Sequence, residues 1–69
     1  MTKTITNVSK NIKRHRKARK LSQDKLSKLA DVSQATIIKI ESGGIQSPTI
    51  ETLLKITKVL DAEVDDLIK

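Results

Sequence analysis

The side chains best suited to recognition chemistry in this chain are two glutamines. Gln23 follows Ser22 and Gln34 follows Ser33, so each falls in the first turn of a short helical stretch. A glutamine amide donates and accepts at once, and from a helix lying in a major groove it can make the paired hydrogen bonds that select adenine. Gln34 is the candidate for that task. Gln23 is better placed to hold a phosphate, together with the backbone N–H groups at its helix start. Further along the second stretch, Ile37 and Ile40 occupy the inward positions, which turns Ala35, Ile38 and Lys39 outward. An outward isoleucine has one use on such a helix: packing on the methyl group of thymine.

Arg16 and Glu41 form a second constellation. Arg16 continues the face begun by Val8 and Ile12, and Glu41 lies four residues beyond Ile37. Opposite charges at apolar positions of two different helices predict a partly buried, bidentate ion pair with a structural job. Other chemistry finds no support. His15 is the only histidine, there is no cysteine, and the neighbours of His15 are basic, so no metal site is expected. Gly43-Gly44 is followed by no GK[ST] and preceded by no strand, which excludes a phosphate loop. The scattered Ser, Thr and Asp residues offer no nucleophile paired with a base, so no enzymatic activity and no cofactor are expected.

These residues need helices to position them, and the apolar spacing supplies five. Residues 1–6 are polar, without helical period, and read as a loose arm before a domain over 7–69. The first helix starts near Asn7 and carries Val8 and Ile12 inward, with Lys10, Lys13, Arg14, Arg16, Lys17, Arg19 and Lys20 along it. The second runs over about 23–30, capped by Ser22, with Leu26, Leu29 and Ala30 inward and Asp31 stopping it. The third runs over about 34–42, capped by Ser33 and ended by Gly43-Gly44. Pro48 suits a first helical position with Ser47 as cap, opening a fourth helix to about residue 60 with Leu53, Ile56, Thr57 and Leu60 inward. A short last helix offers Val64, Leu67 and Ile68. No strand pattern competes, so the fold class is all-α.

Composition bounds the partner. Sixty-nine residues allow one small domain, with no apolar run long enough for a membrane span and no cysteine, which fits a reducing cytoplasm. The net charge is +6, and it is unevenly spread: residues 1–42 carry eleven Lys/Arg against three acids, residues 43–69 three against five. A basic part facing a polyanion and an acidic end facing away suits a nucleic-acid binder. Single-stranded nucleic acid is usually stacked on aromatic rings, and Phe, Tyr and Trp are all missing here. Double-stranded DNA is the better match.

Taken in order, these residues resemble the lambda/Cro-type repressor helix-turn-helix domains, often called the XRE family. The resemblance covers about residues 8–68. It is carried by Arg16, LSQ-x-x-L at 21–26, VSQ-x-x-I at 32–37, I-E-x-G at 40–43, Pro48, and L-x-x-I-x-x-x-L at 53–60. It implies a compact five-helix domain whose helices two and three form the helix-turn-helix, with the recognition helix, about 34–42, in the major groove. By position, Gln34, Ala35, Ile38 and Lys39 would face base edges, Gln23 would contact phosphate, and Arg16–Glu41 would be the family's structural ion pair. Three departures stand out. Ser27 replaces a usual alanine and needs a hydrogen bond; Asp31 replaces the turn glycine; and the loop before Pro48, often basic, is Gly44-Ile45-Gln46-Ser47. Phosphate contacts around Gln46 would therefore be weak, and Lys10, Lys13, Arg14 and Lys17 are expected to take them over.

The resulting expectation is a stand-alone, sequence-specific regulator of transcription, with no small-molecule ligand, acting as a homodimer on a palindromic operator. Val64, Leu67 and Ile68 are the dimer candidates, Leu67 being the one best suited to closing the monomer core instead. A rival on the same fold is an antitoxin or similar module that grips a protein partner such as a toxin. Another is a sequence-blind DNA-packaging protein.

Overall fold

A computed structural model describes residues 7–45 and 47–68. The expected arm over 1–6 and the expected phosphate residue Gln46 lie outside the described residues. Five helices follow in order: α1 (Asn7–Ala18), α2 (Gln23–Ala30), α3 (Gln34–Ser42), α4 (Ile50–Leu60) and α5 (Val64–Ile68), with no strand among the described residues.

Local chemistry sets most of these boundaries. Ser22 Oγ accepts from Lys25 N at 2.9 Å and Ser33 Oγ accepts from Thr36 N at 3.1 Å, satisfying first-turn N–H groups that have no partner within the helix. Asp31 ends α2 in the left-handed conformation, φ 59°, which its short polar side chain tolerates better than most. Gly43, at φ 89°, ends α3 and returns its N–H to the carbonyls of Lys39 and Ile40. The fourth helix departs from expectation. Thr49, not Ser47, is its cap: Thr49 Oγ1 accepts from Thr52 N at 3.2 Å, and Pro48 stands before the cap rather than inside the helix. The extended backbone that proline imposes on Ser47 would suit a cap, but the hydroxyl that reaches the first-turn N–H is that of Thr49.

The core is aliphatic throughout. Val8, Ile12, Leu26, Ala30, Ile37, Ile40, Leu53, Ile56, Leu60 and Leu67 are buried, and Leu21, Val32, Ile45, Val59, Ala62 and Val64 pack partly against them. Within it, α1 lies against α3 and α5, while α2 lies against α3 and α4. Two expectations need correction. Leu29 is 54% exposed, not inward; Leu26 and Ala30 fill the centre of the α2 stripe and Ser27 takes its other edge. Burial of Ser27 leaves no unmet hydroxyl, because Oγ donates to the Asp24 carbonyl at 2.8 Å. Leu67 is fully buried, so it closes the monomer core and is not available at the surface for a second copy.

Polar side chains of α1 and of Arg19, the residue that follows it, hold the other helices by their C-terminal carbonyls. Ser9 Oγ donates to Glu41 O of α3 (2.8 Å), Asn11 Nδ2 to Leu67 O of α5 (2.9 Å) and Arg19 Nε to Leu60 O of α4 (2.9 Å). The last carbonyls of a helix lack internal donors; α1 supplies them for α3 and α5, and Arg19, just beyond it, for α4.

Candidate nucleic-acid interface

The helix-turn-helix is built around one carboxylate. Arg16 Nε donates to Glu41 Oε2 at 2.6 Å and Nη2 to Oε1 at 2.9 Å, a bidentate pair with side chains 10% and 2% exposed. The third guanidinium nitrogen, Nη1, donates to Leu21 O at 2.7 Å, just before α2. Gln23 Nε2 donates to Glu41 Oε1 at 3.1 Å. Glu41 thus ties the end of α3 to α1 and to the start of α2, and a fully satisfied network of this kind fixes geometry as well as removing the penalty of a buried charge. Among the described residues no buried side-chain nitrogen or oxygen lacks a partner.

Gln23, expected at a phosphate, is half-buried and spends one amide N–H on this network. Its second N–H and its carbonyl oxygen are uncommitted, so the side chain is held in place with one donor still free.

The opposite side of α3 is open. Gln34, Ala35, Ile38 and Lys39 are all exposed, Ile38 by 43%. The packing that buries Ile37, Ile40 and Glu41 forces this division, since residues three and four apart share a face. On α1, Lys10, Lys13, Arg14 and Lys17 are exposed on the side away from the buried Val8, Ile12 and Arg16. Among the described residues the ion pairs engage Arg16, Arg19, Lys28 and Lys55, and none engages these four cations. Val64 is half-buried and Ile68 is 45% exposed on α5. Sequence patterning does not single out Ser9, Asn11 or Arg19, whose partners are backbone carbonyls on distant helices.

The arrangement is one rigid helix with a mixed polar and apolar outer side, flanked by unpaired cations. Residues 12–67 match the family model for Helix-turn-helix. The structure is similar to that of the N-terminal DNA-binding domain of SinR from Bacillus subtilis, with a TM-score of 0.90 and 30% identity over 93% of each chain. It is equally similar to the crystal structure of SinR, the master regulator for biofilm formation, in complex with DNA. There the TM-score is 0.88 and the identity 31%, over 90% of this chain and 98% of the other. No curated protein matches the chain in sequence.

Proposed function

The chain belongs to the helix-turn-helix family, of the lambda/Cro or XRE type, and from that premise we propose that it is a sequence-specific, cytoplasmic DNA-binding regulator of transcription. The observation that carries the reading is the division of α3. One side is locked into the core by Ile37, Ile40 and Glu41, and the other leaves Gln34, Ala35, Ile38 and Lys39 exposed to solvent. In a major groove Gln34 pairs with adenine, Ile38 packs on a thymine methyl, and Ala35 allows close approach. Lys39 donates to base-edge acceptors. The free N–H of Gln23 and the exposed cations of α1 hold phosphates and set the register of the helix on the duplex. SinR, at 31% identity, has been crystallised with DNA, which supports the same ligand here.

The regulator acts as a homodimer on a palindrome, with the exposed Ile68 and the half-buried Val64 of α5 as the contact between copies. Selection of bound sequences from random duplexes tests the whole reading. An enriched palindrome supports specificity and dimerisation together, an enriched single half-site removes the dimer, and no enrichment overturns specific recognition. The second reading, an antitoxin-type module, has Ile50 and Leu54 in its favour, exposed one turn apart on α4. Polar replacement of both would abolish toxin capture under that reading and leave DNA selection unchanged under the first.

A further inference from the structure

We propose that Glu41 is a positioning residue for DNA binding: it turns the Gln23 amide so that its free N–H meets a phosphate, while Arg16 cancels the charge that would repel that phosphate. The inference deepens the proposed function and rests on its placing of Gln23 at a phosphate.

The carboxylate decides which way the amide faces. An ionised carboxylate only accepts, so Gln23 must offer it an N–H, and the reversed amide would set oxygen against oxygen. Glu41 Oε1 accepts that N–H at 3.1 Å and Arg16 Nη2 at 2.9 Å. Glu41 is buried, so the bonded N–H points into the protein, and the second N–H of the planar amide diverges from it. Both ends of the Gln23 side chain are held. Its tip is on Glu41, and its backbone follows Leu21, whose carbonyl accepts from Arg16 Nη1 at 2.7 Å. Ser22 fixes the same turn, its Oγ accepting from Lys25 N and its carbonyl from Leu26 N. Among the described residues no acceptor meets the N–H groups of Gln23 and Asp24, which stay available as further donors at the start of α2.

A carboxylate one hydrogen bond away from a phosphate contact is tolerable only when its charge is met. Arg16 meets it with two parallel bonds, at 2.6 and 2.9 Å, so the pair carries no net charge toward the ligand. What the pair adds is preorganisation. Immobilising a flexible side chain at the moment of binding costs affinity, and holding it beforehand is worth about two- to tenfold. The same carboxylate that fastens α3 to α1 thus aims a donor of α2.

The test is a mutant cycle on the full chain, read as affinity for a random-sequence duplex and its salt dependence. One arm is Gln23→Ala. The other removes the pair as a unit, Arg16→Met with Glu41→Leu, which strands no charge in the core. Gln23→Ala should lose about tenfold or more, the worth of a hydrogen bond to a charged group. Removing the pair should lose about two- to tenfold when Gln23 is present and nothing further once Gln23 is alanine. The salt slope should stay constant throughout, because a neutral amide releases no counterion. Equal losses with and without Gln23, or a flattened slope, would mean that the network acts by displacing helices and would overturn the proposal. Nuclear magnetic resonance of the wild type needs no substitution and stands even where the pair variant fails to fold. The order parameter of Gln23 Nε2 should approach the ~0.85 of rigid backbone, and a value below about 0.6 overturns the proposal. Undiminished binding by Gln23→Ala overturns it too, while leaving the reading side of α3 untouched. Absence of duplex binding by the wild type would overturn the proposed function, and this inference with it.

Discussion

The two sides of α3 are made by interleaved residues of one nine-residue helix, yet they are organised in opposite ways. The inner side is closed: Ile37 and Ile40 are fully buried, and Glu41 accepts from Arg16 and Gln23 while its carbonyl accepts from Ser9. The outer side is open, with Gln34, Ala35, Ile38 and Lys39 making no side-chain bond that the fold requires. A helix of this length is unstable alone in water, so its existence depends on the inner side. The lesson is a separation of tasks. Because packing and the carboxylate network fix the helix, the outer residues are free to be chosen for the ligand, and substitution there should change recognition without changing the fold.

The largest effect tests the inner side. Glu41→Ala strands a buried guanidinium and frees Gln23, and is expected to lower the free energy of unfolding by about 3–5 kcal/mol. In a domain this small that approaches the total stability, so unfolding is followed for the wild type, Glu41→Ala, and the cycle of Arg16→Met, Glu41→Leu and the two combined. The combined variant should lose less than the two single losses added together, since neither partner is left charged and alone. Additive losses would show that the two groups do not act as a pair.

The next effect tests the outer side. Gln34→Ala is expected to cost about 1–3 kcal/mol on the preferred sequence, little on random duplex, and less than about 0.5 kcal/mol in stability. Binding titrations on both duplexes, beside thermal melts, decide it. Equal losses on both duplexes would take base reading away from Gln34, and a large loss of stability would break the separation of tasks itself. Between these extremes stands Ser9→Ala, on the clasp between α1 and α3. Removing one partly buried hydrogen bond to Glu41 O should cost about 0.5–1.5 kcal/mol in stability and nothing in sequence preference.

How much of this was legible in the chain depends on where the information resides. Ser22 and Ser33 act on N–H groups three residues away, so α2 and α3 begin where a local reading puts them. Charge at an apolar position is a strong anomaly, and it marks Arg16 and Glu41, which meet in the structure. The start of α4 was harder because Ser47 and Thr49 are both competent caps on either side of one proline, and geometry chose Thr49. The clasp made by α1 and Arg19 leaves no trace in the pattern. Ser9, Asn11 and Arg19 bond backbone carbonyls, which every residue carries, so nothing at the acceptor positions announces the contact.

Leu29 supplies the smallest expected effect and the sharpest control on the comparison of sides. Periodicity puts Leu26, Leu29 and Ala30 on one stripe, and an inward Leu29 replaced by lysine would cost several kcal/mol through an unpaired buried charge, on the order of the loss from breaking a buried pair. In the structure the stripe of α2 is narrower. Leu26 is fully buried and Leu29 is more than half exposed, while Ser27 is sheltered with its hydroxyl bonded to Asp24 O. Leu29→Lys should therefore shift stability by less than about 0.5 kcal/mol, as surface changes usually do. Leu26→Ala, three residues earlier on the same helix, should cost about 2–5 kcal/mol. Denaturant unfolding of the two variants measures the contrast directly. If Leu29→Lys destabilised as much as Leu26→Ala, the inner surface of the helix-turn-helix would be wider than the structure has it. The polar network around Glu41 would then carry a smaller share of holding α3 in place.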